Sequence, residues 1–190
     1  LHTEPCLAVD AAVLPHSIPC LGFALAERFH VNILKAGLAE LGLAPGPWIS
    51  RFKAALYERV PPQAEFTIEP GPQAAGGTFT VARLTQKLAR ITPGQKIAYI
   101  TDVGDSAATR EAVAALACEA DQLFIEAAFL ESERERAAAT HHLTAQQAGE
   151  LAALARVRRF TLFHFSPRYE GREAALLREA QTAYDRAMAR

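Results

Sequence analysis

The chain has 190 residues, enough for one domain with a substantial core and too few for a large multidomain enzyme. Half of the residues are hydrophobic and 22% are charged, a balance that excludes a disordered or collagen-like chain. Because 20 Lys and Arg residues nearly cancel 21 Asp and Glu residues, the molecule as a whole has no general attraction for nucleic acid or an anionic membrane.

Nothing in the sequence pattern indicates a membrane or an oxidising compartment. The chain has no run of about eighteen apolar residues, and its first residues lack the basic region and apolar core of a secretory signal. Cys6, Cys20 and Cys118 never stand in a C-x-x-C pair, which argues against a disulfide framework and against a zinc ribbon. We therefore expect a cytoplasmic protein with no membrane partner.

The first elements along the chain are expected to be a pair of strands. Two apolar, partly alternating runs extend from Leu7 to Leu14 and from Cys20 to Glu27, and between them two prolines flank a short turn. This arrangement predicts two strands and places His16 at a strand end.

A short helical arm is predicted next. The apolar spacing is helical from Ile33 to Leu43 and from Trp48 to Tyr57, and the Ala-Pro-Gly-Pro segment between them cannot continue a helix. From Pro61 to Pro93, Pro, Gly, Gln and Thr become more frequent and only short apolar pieces remain. We expect irregular short strands in that region, among them residues 66–68 and 78–81.

Strands and helices alternate regularly in the second half, which predicts a βαβ-like arrangement whose strands are covered on both faces. The predicted elements are a strand at 96–100, a helix capped by Ser106 and ending near Cys118, a strand at 122–126, a helix capped by Thr144 and ending near Arg156, a strand at 160–163, and a helix from about Arg172 to Met188.

Chemically capable side chains stand at the ends of these buried strands. Loops at carboxyl ends of strands are free to form a site, whereas strand interiors are committed to packing. Asp102 follows the first of the three strands, Glu126 ends the second and His164 follows the third. Asp102 could hold a cation or only cap the next helix, and a histidine on an apolar strand could equally be a core residue.

Two more histidines occupy comparable positions. His142 stands just before a predicted helix, where a carboxylate could orient its ring, although a solvated loop histidine is the alternative. With His16, three histidines and two carboxylates all lie at the ends of elements, and this coincidence favours a metal site. Imidazole with carboxylate suits zinc best, and manganese or iron next.

Six segments of the chain resemble, in order, the second half of ribonuclease Z. That family has the metallo-β-lactamase fold and removes 3′ trailers from precursor tRNA. The resemblance implies an α/β chain that is part of a four-layer αββα metallo-β-lactamase-like sandwich. Residues 1–190 would be the carboxyl-terminal portion of such a domain, and residues 29–57 an inserted helical arm. The six segments are residues 13–23, 46–47, 94–102, 124–129, 142–145 and 164–169.

The resemblance also implies roles for the clustered side chains. His16 would bind one of two zinc ions, Asp102 would bridge both ions, and His164 would bind the other. His142 would protonate the leaving oxygen, and Glu126 would orient His142. A histidine held by a carboxylate is a suitable general acid near neutral pH, so this assignment agrees with the chemistry of the residues.

Substrate contacts are implied as well. Arg168 could hold a phosphate in a bidentate manner, with a surface salt bridge as the alternative. Residues 29–57 are similar to the family's protruding arm, which grips the tRNA elbow, and Lys35, Arg51 and Lys53 would supply its phosphate contacts. Solvated helix charges are the alternative for these three residues.

One family signature, H-x-H-x-D-H, does not occur in the 190 residues. Because it supplies most ligands of the zinc pair, we expect this chain to be the carboxyl-terminal portion of a longer enzyme whose amino-terminal half completes the site. The expected function is removal of precursor tRNA 3′ trailers by a zinc-activated hydroxide, by a homodimer. The alternatives are a metallo-hydrolase of a small phosphodiester or ester, and a non-catalytic module of the same fold.

Overall fold

The structure is a computed structural model that describes residues 2–71 and 76–189. These residues form two compact units. The first unit holds Ala8–Ala26 and the chain from Gln95 onwards, and the second holds Thr3–Leu7 and Glu27–Gly94.

Every strand that the sequence pattern predicts has a counterpart among the described strands. They are β1 (His2–Thr3), β2 (Leu7–Leu14), β3 (Cys20–Glu27), β4 (Phe29–Ile33), β5 (Glu65–Ile68), β6 (Gly77–Thr80), β7 (Ala89–Pro93), β8 (Lys96–Ile100), β9 (Gln122–Glu126) and β10 (Phe160–Phe163).

In the second half the predicted helices alternate with the strands, and one further short helix, Arg134–Ala139, precedes the predicted helix that begins after Thr144. The helices are α1 (Lys35–Glu40), α2 (Trp48–Tyr57), α3 (Val81–Leu88), α4 (Ala107–Leu116), α5 (Arg134–Ala139), α6 (Ala145–Leu154) and α7 (Glu173–Met188), and two short 3-10 turns lie at Glu131–Glu133 and Pro167–Tyr169.

The main sheet carries the elements that position the site. Its strand order is β1-β2-β3-β8-β9-β10, and β8 pairs antiparallel with β3 but parallel with β9, which in turn is parallel with β10. The carboxyl ends of β8, β9 and β10 therefore meet at one edge of the sheet. Loops that leave this edge are free to carry polar side chains.

Helix α6 covers the parallel part of this sheet and packs against α4 and α7. Its first turn is closed by a capping box, in which Thr144 accepts from the backbone of Gln147 and the Gln147 side chain accepts from the backbone of Thr144. Leu123 on β9 and Leu151 on α6 are fully buried in the core. Burying a leucine side chain contributes about 1.5–3 kcal/mol, so these contacts hold the helix on the sheet.

Part of the sheet leaves apolar side chains uncovered. Phe23 is paired with Tyr99, and Leu25 with Ile97, across β3 and β8. These four side chains are between 37% and 43% exposed, whereas Ala98, which points to the opposite side of β8, is fully buried. We call these four residues the apolar face. An exposed contiguous apolar patch of this kind is typical of a surface that another element or chain covers.

The second unit has its own small core. Helix α2 places Trp48 and Phe52 four residues apart, on the same side of the helix, and both are buried. They cluster with Leu84 and Leu88 of α3. Two short antiparallel pairs, β4 with β7 and β5 with β6, complete this unit.

The expectation of only irregular short strands between Pro61 and Pro93 is wrong in part. The strands β5 and β6 are present, but α3 follows directly after β6. Thr80 caps this helix by accepting from the Arg83 backbone N–H, and Val81, Leu84 and Leu88 form its buried side. The helical spacing of these three apolar residues is not apparent in the sequence, because Thr and Gln residues surround them.

Among residues 2–71 and 76–189, no helix has both the length and the apolar character that a bilayer crossing requires. The location of the protein stays a prediction.

We expect Gly149→Ala to lower the free energy of unfolding by about 1–3 kcal/mol, because overpacking a tight contact costs this much. A methyl group at this position of α6 would overlap the backbone carbonyl oxygen of Ala180 on α7. Urea unfolding measures the change. Leu154→Ala is the control on the same helix, since Leu154 is half exposed and should change the value by less than about 0.5 kcal/mol. Equal, small effects of both variants would contradict close α6–α7 packing.

Candidate metal centre

Three polar side chains converge at the carboxyl edge of the main sheet. Asp102 lies two residues after β8, Glu126 is the last residue of β9, and His164 follows β10 directly. Since these strands are parallel neighbours, their ends bring the three side chains together. The Nδ1 atom of His164 lies 3.2 Å from Oδ1 of Asp102 and 3.9 Å from Oε2 of Glu126.

His142 joins the same cluster from the loop before α6. Its Nδ1 atom lies 3.0 Å from Oε1 of Glu126. One potential ligand atom from each of Asp102, Glu126, His142 and His164 can be chosen so that all four lie within 4.8 Å of one another. This spacing allows a single cation to be reached from several of these side chains.

His16 lies beside the cluster, at the turn between β2 and β3. Its ring centroid is 5.2 Å from that of His142. Its Nδ1 atom and the Ser17 hydroxyl form a hydrogen bond of 3.0 Å. Its Nε2 atom is buried and has no hydrogen-bond partner among the described residues. Because a buried polar atom without a partner is costly, an unpaired imidazole nitrogen on a ring next to His142 fits a metal ligand.

Glu126 is held firmly by the surrounding backbone. Its side chain is completely buried. Oε1 accepts from the Val103 N–H at 2.7 Å and from His142, and Oε2 lies 3.5 Å from the Leu143 N–H. Burial raises the pKa of Glu126 above its ordinary value, and the hydrogen bonds from His142 and Val103 offset only part of this rise.

The backbone at the cluster adopts a conformation that L residues rarely take. Asp102, His141 and His164 have φ values of 44°, 60° and 60°. A non-glycine residue in this left-handed region carries a cost of about 1–3 kcal/mol and tends to occur where a site requires it. Each of these residues either belongs to the cluster or directly precedes a member, so the unusual backbone aims the side chains.

The structure thus brings together all five residues that the sequence analysis selected for metal binding and catalysis: His16, Asp102, Glu126, His142 and His164. Imidazole nitrogens with carboxylate oxygens form a donor set that suits a divalent transition metal. The division of these residues into ligands and catalytic groups stays a prediction.

The predicted substrate-binding residues come from other segments of the chain. Arg168 is half exposed on a 3-10 turn, and its guanidinium Nη1 is 3.9 Å from Oε1 of Glu133, the geometry of a surface salt bridge. Lys35 begins α1 in the second unit. Arg51 and Lys53 lie on α2, where Arg51 donates to the backbone oxygen of Thr67 at 3.2 Å. Their contacts with a substrate remain predictions.

Two contributors to the site were missed in the sequence. The Val103 N–H holds Glu126, but a backbone donor leaves no mark in a sequence. Gln147 closes the capping box of α6, and the Thr-x-x-Gln spacing before an apolar run is a recognisable signal for it. Its side chain also donates a hydrogen bond to Asp105.

Comparison with known proteins decides the family. A family model described as Beta-lactamase superfamily domain matches residues 50–165, more than half of the chain. The chain belongs to the beta-lactamase superfamily. The structure is similar to the metallo-beta-lactamase fold protein YhfI from Bacillus subtilis, with a TM-score of 0.53 and 13% identity over 97% of this chain and 46% of that protein. The predicted metallo-β-lactamase fold is therefore confirmed, and this fold together with the donor set implies a divalent metal.

Within the superfamily, the chain resembles ribonuclease Z proteins. It is 36% identical over 187 residues to ribonuclease Z of Deinococcus radiodurans, covering 97% of this chain and 52% of that protein. It is 41% identical over 165 residues to ribonuclease Z of Thermobifida fusca, covering 87% of this chain and 45% of that protein. The predicted resemblance is confirmed, and the chain spans about half the length of these curated relatives.

Proposed function

We propose that this chain is the carboxyl-terminal part of a metal-dependent endoribonuclease that removes 3′ trailers from precursor tRNA. The observation that carries the proposal is the convergence of three histidines and two carboxylates from five separate segments on one edge of the sheet. The similarity of 97% of the chain to ribonuclease Z of Deinococcus radiodurans supports the choice of substrate.

His16, Asp102 and His164 would hold the metal, and zinc matches their donor atoms best, ahead of manganese or iron. Asp102 and His164 are 39% and 44% exposed, so both can be reached by a cation from outside the core. When bound, the metal supplies Lewis-acid activation of water and stabilises charge on the attacked phosphoryl group. In the complete protein two ions would be held, and Asp102 would serve as a ligand to both.

Glu126 and His142 suit a different task. The carboxylate of Glu126 is fully buried and is already engaged by Val103 and His142, which suits an orienting group better than a ligand. His142 is 21% exposed, so its ring has one side fixed by Glu126 and another open to a substrate. A histidine held in this way can donate a proton to the departing ribose oxygen.

The rest of the site would come from an amino-terminal half that carries the H-x-H-x-D-H signature. The apolar face supports this part of the proposal, since Phe23, Leu25, Ile97 and Tyr99 expose apolar surface on the sheet that carries the cluster. The chain also spans about half the length of its curated relatives. We propose that the amino-terminal half packs against the apolar face.

Binding of tRNA requires local positive charge, because the net charge of the chain is −1. The arm formed by residues 29–57 supplies Lys35, Arg51 and Lys53 on its helices, and Arg168 stands four residues after His164. We propose that these side chains contact phosphates, in a cytoplasmic homodimer. Their small number predicts a moderate salt dependence of binding.

The test is cleavage of a precursor tRNA that carries a 3′ trailer by the full-length gene product loaded with Zn²⁺. We expect one endonucleolytic cut at the trailer junction, and binding that weakens steadily with added salt. Hydrolysis of a small phosphodiester, with no cleavage of the precursor and no salt dependence, would favour the small-substrate alternative. Less than about half a metal ion per chain in the purified protein would favour the non-catalytic alternative.

A further inference from the structure

Asp105 lies in the loop that follows β8, three residues after Asp102, and its carboxylate accepts three hydrogen bonds. Arg110 of α4 donates to it in a bidentate manner, from Nε at 2.8 Å and from Nη2 at 3.0 Å. The amide Nε2 of Gln147 donates to the same carboxylate at 3.0 Å. Asp105 is 21% exposed, so these bonds are formed in a partly desolvated place where charge-assisted hydrogen bonds are strong.

Gln147 connects this loop to the segment that carries His142. Its side chain is 95% buried, and both ends of its amide are used. While Nε2 donates to Asp105, Oε1 accepts from the Thr144 N–H at 2.9 Å. Thr144 lies two residues after His142, so one amide group spans the loop of Asp102 and the loop of His142.

The loop after β8 also reaches the other members of the cluster. The Val103 N–H donates to Glu126 at 2.7 Å, and the Gly104 N–H donates at 3.3 Å to the backbone oxygen of Pro15, which directly precedes His16. A shift of this loop would therefore move several cluster residues together. The hydrogen bonds that Arg110 donates to Asp105 raise the pKa of Arg110, which keeps the ion pair charged.

We propose that Asp105 and Gln147 are positioning residues, whose bridge sets the separation between the Asp102 loop and the His142 loop at the metal centre. The inference rests on the metal centre of the proposed function. Neither side chain belongs to the group of candidate ligands, so both act through the loops they join. Outer residues that orient metal-binding groups commonly change metal affinity about 10–100-fold when they are replaced.

The test uses Co²⁺ binding by the full-length gene product at about pH 8, well above the ordinary carboxyl pKa. Gln147→Glu keeps an oxygen that can accept from the Thr144 N–H, so the helix cap survives. It also sets a second carboxylate against Asp105 and breaks the bridge. We expect the dissociation constant for Co²⁺ to rise about tenfold and the visible absorption spectrum of bound Co²⁺ to change.

Two further variants make the result specific. The double variant Gln147→Glu/Asp105→Asn reverses the roles of donor and acceptor in the bridge and keeps its net charge. We expect it to recover part of the affinity and of the spectrum, because an asparagine at position 105 offers Arg110 one acceptor oxygen in place of two. Gln181→Glu is the matched control, because the Gln181 amide donates to Asp185 at 2.8 Å on the exposed side of α7. That variant makes the same chemical change away from the candidate ligands. It should leave the dissociation constant for Co²⁺ and the absorption spectrum unchanged.

Gln147→Met removes the bridge without adding charge and serves if the glutamate variant fails to fold. An unchanged dissociation constant and spectrum in Gln147→Met or Gln147→Glu would overturn the proposal. A lower unfolding midpoint with an unaltered Co²⁺ spectrum would also overturn it, since the bridge would then only stabilise the fold. Because no RNA is present, a failure of tRNA cleavage in the earlier assay leaves this result unaffected.

Discussion

Asp102→Ala in the full-length gene product is expected to lower kcat/KM for precursor tRNA cleavage by more than about 100-fold. This loss exceeds the decrease of about 10–100-fold that is usual when a residue that only orients a metal ligand is replaced. Asp102 provides an exposed carboxylate 3.2 Å from the His164 ring, at the point where the strand ends converge. Its removal takes away a proposed ligand of both ions, so bound metal should fall together with activity. Elemental analysis and single-turnover cleavage measure the two quantities.

Asp10→Ala is the control for this variant. Asp10 is an exposed carboxylate on β2 and does not belong to the cluster. We expect it to retain both metal and activity. Full metal content and unchanged kcat/KM in Asp102→Ala would refute the proposed ligand role and, with it, the metal centre at this edge of the sheet.

His142→Ala is expected to lower kcat about 100-fold to 10,000-fold while the metal content is retained, because a positioned general acid contributes this much to a rate. The prediction separates an acid from a ligand, although the distances alone place His142 among the candidate ligands. Its Nδ1 atom is engaged by the buried Glu126 at 3.0 Å, and the side chain remains 21% exposed. Single-turnover cleavage and elemental analysis again provide the measurements.

His30→Ala offers a matched control for the histidine. His30 also places Nδ1 3.0 Å from a carboxylate, that of Glu27, but the pair lies in the second unit. We expect normal cleavage from this variant. If His142→Ala instead lost its metal to the same extent as Asp102→Ala, His142 would be a ligand and the proposed acid would have to be another group.

Strong local signals explain why most elements could be predicted. The strands β2, β3, β8, β9 and β10 are short apolar runs bounded by turn residues, and Ser106 and Thr144 cap the helices that follow them. The helix α3 was missed because its apolar side has only three residues among polar neighbours. Its stability depends on packing against Phe52 and the rest of the second core, which a local pattern does not reveal.

The candidate site was predictable in identity but not in geometry. Each of its five residues stands at the end of a helix or strand, where a side chain is not needed for core packing. This position is visible in the sequence pattern. The left-handed backbone at Asp102 and His164, the backbone donor at Val103 and the unpaired Nε2 of His16 are not visible there. These features depend on which loops meet across the sheet edge.

The sequence by itself determined most strands and helices of the main sheet, the motifs shared with the superfamily and the side chains available for chemistry, because these depend on residue type and local spacing. Only the tertiary structure decided which of those side chains meet. Parallel pairing of β8, β9 and β10 brings together residues up to 62 positions apart, from Asp102 to His164. The Asp105–Gln147 bridge joins residues 42 positions apart, and a contact over this separation has no local signal in the sequence.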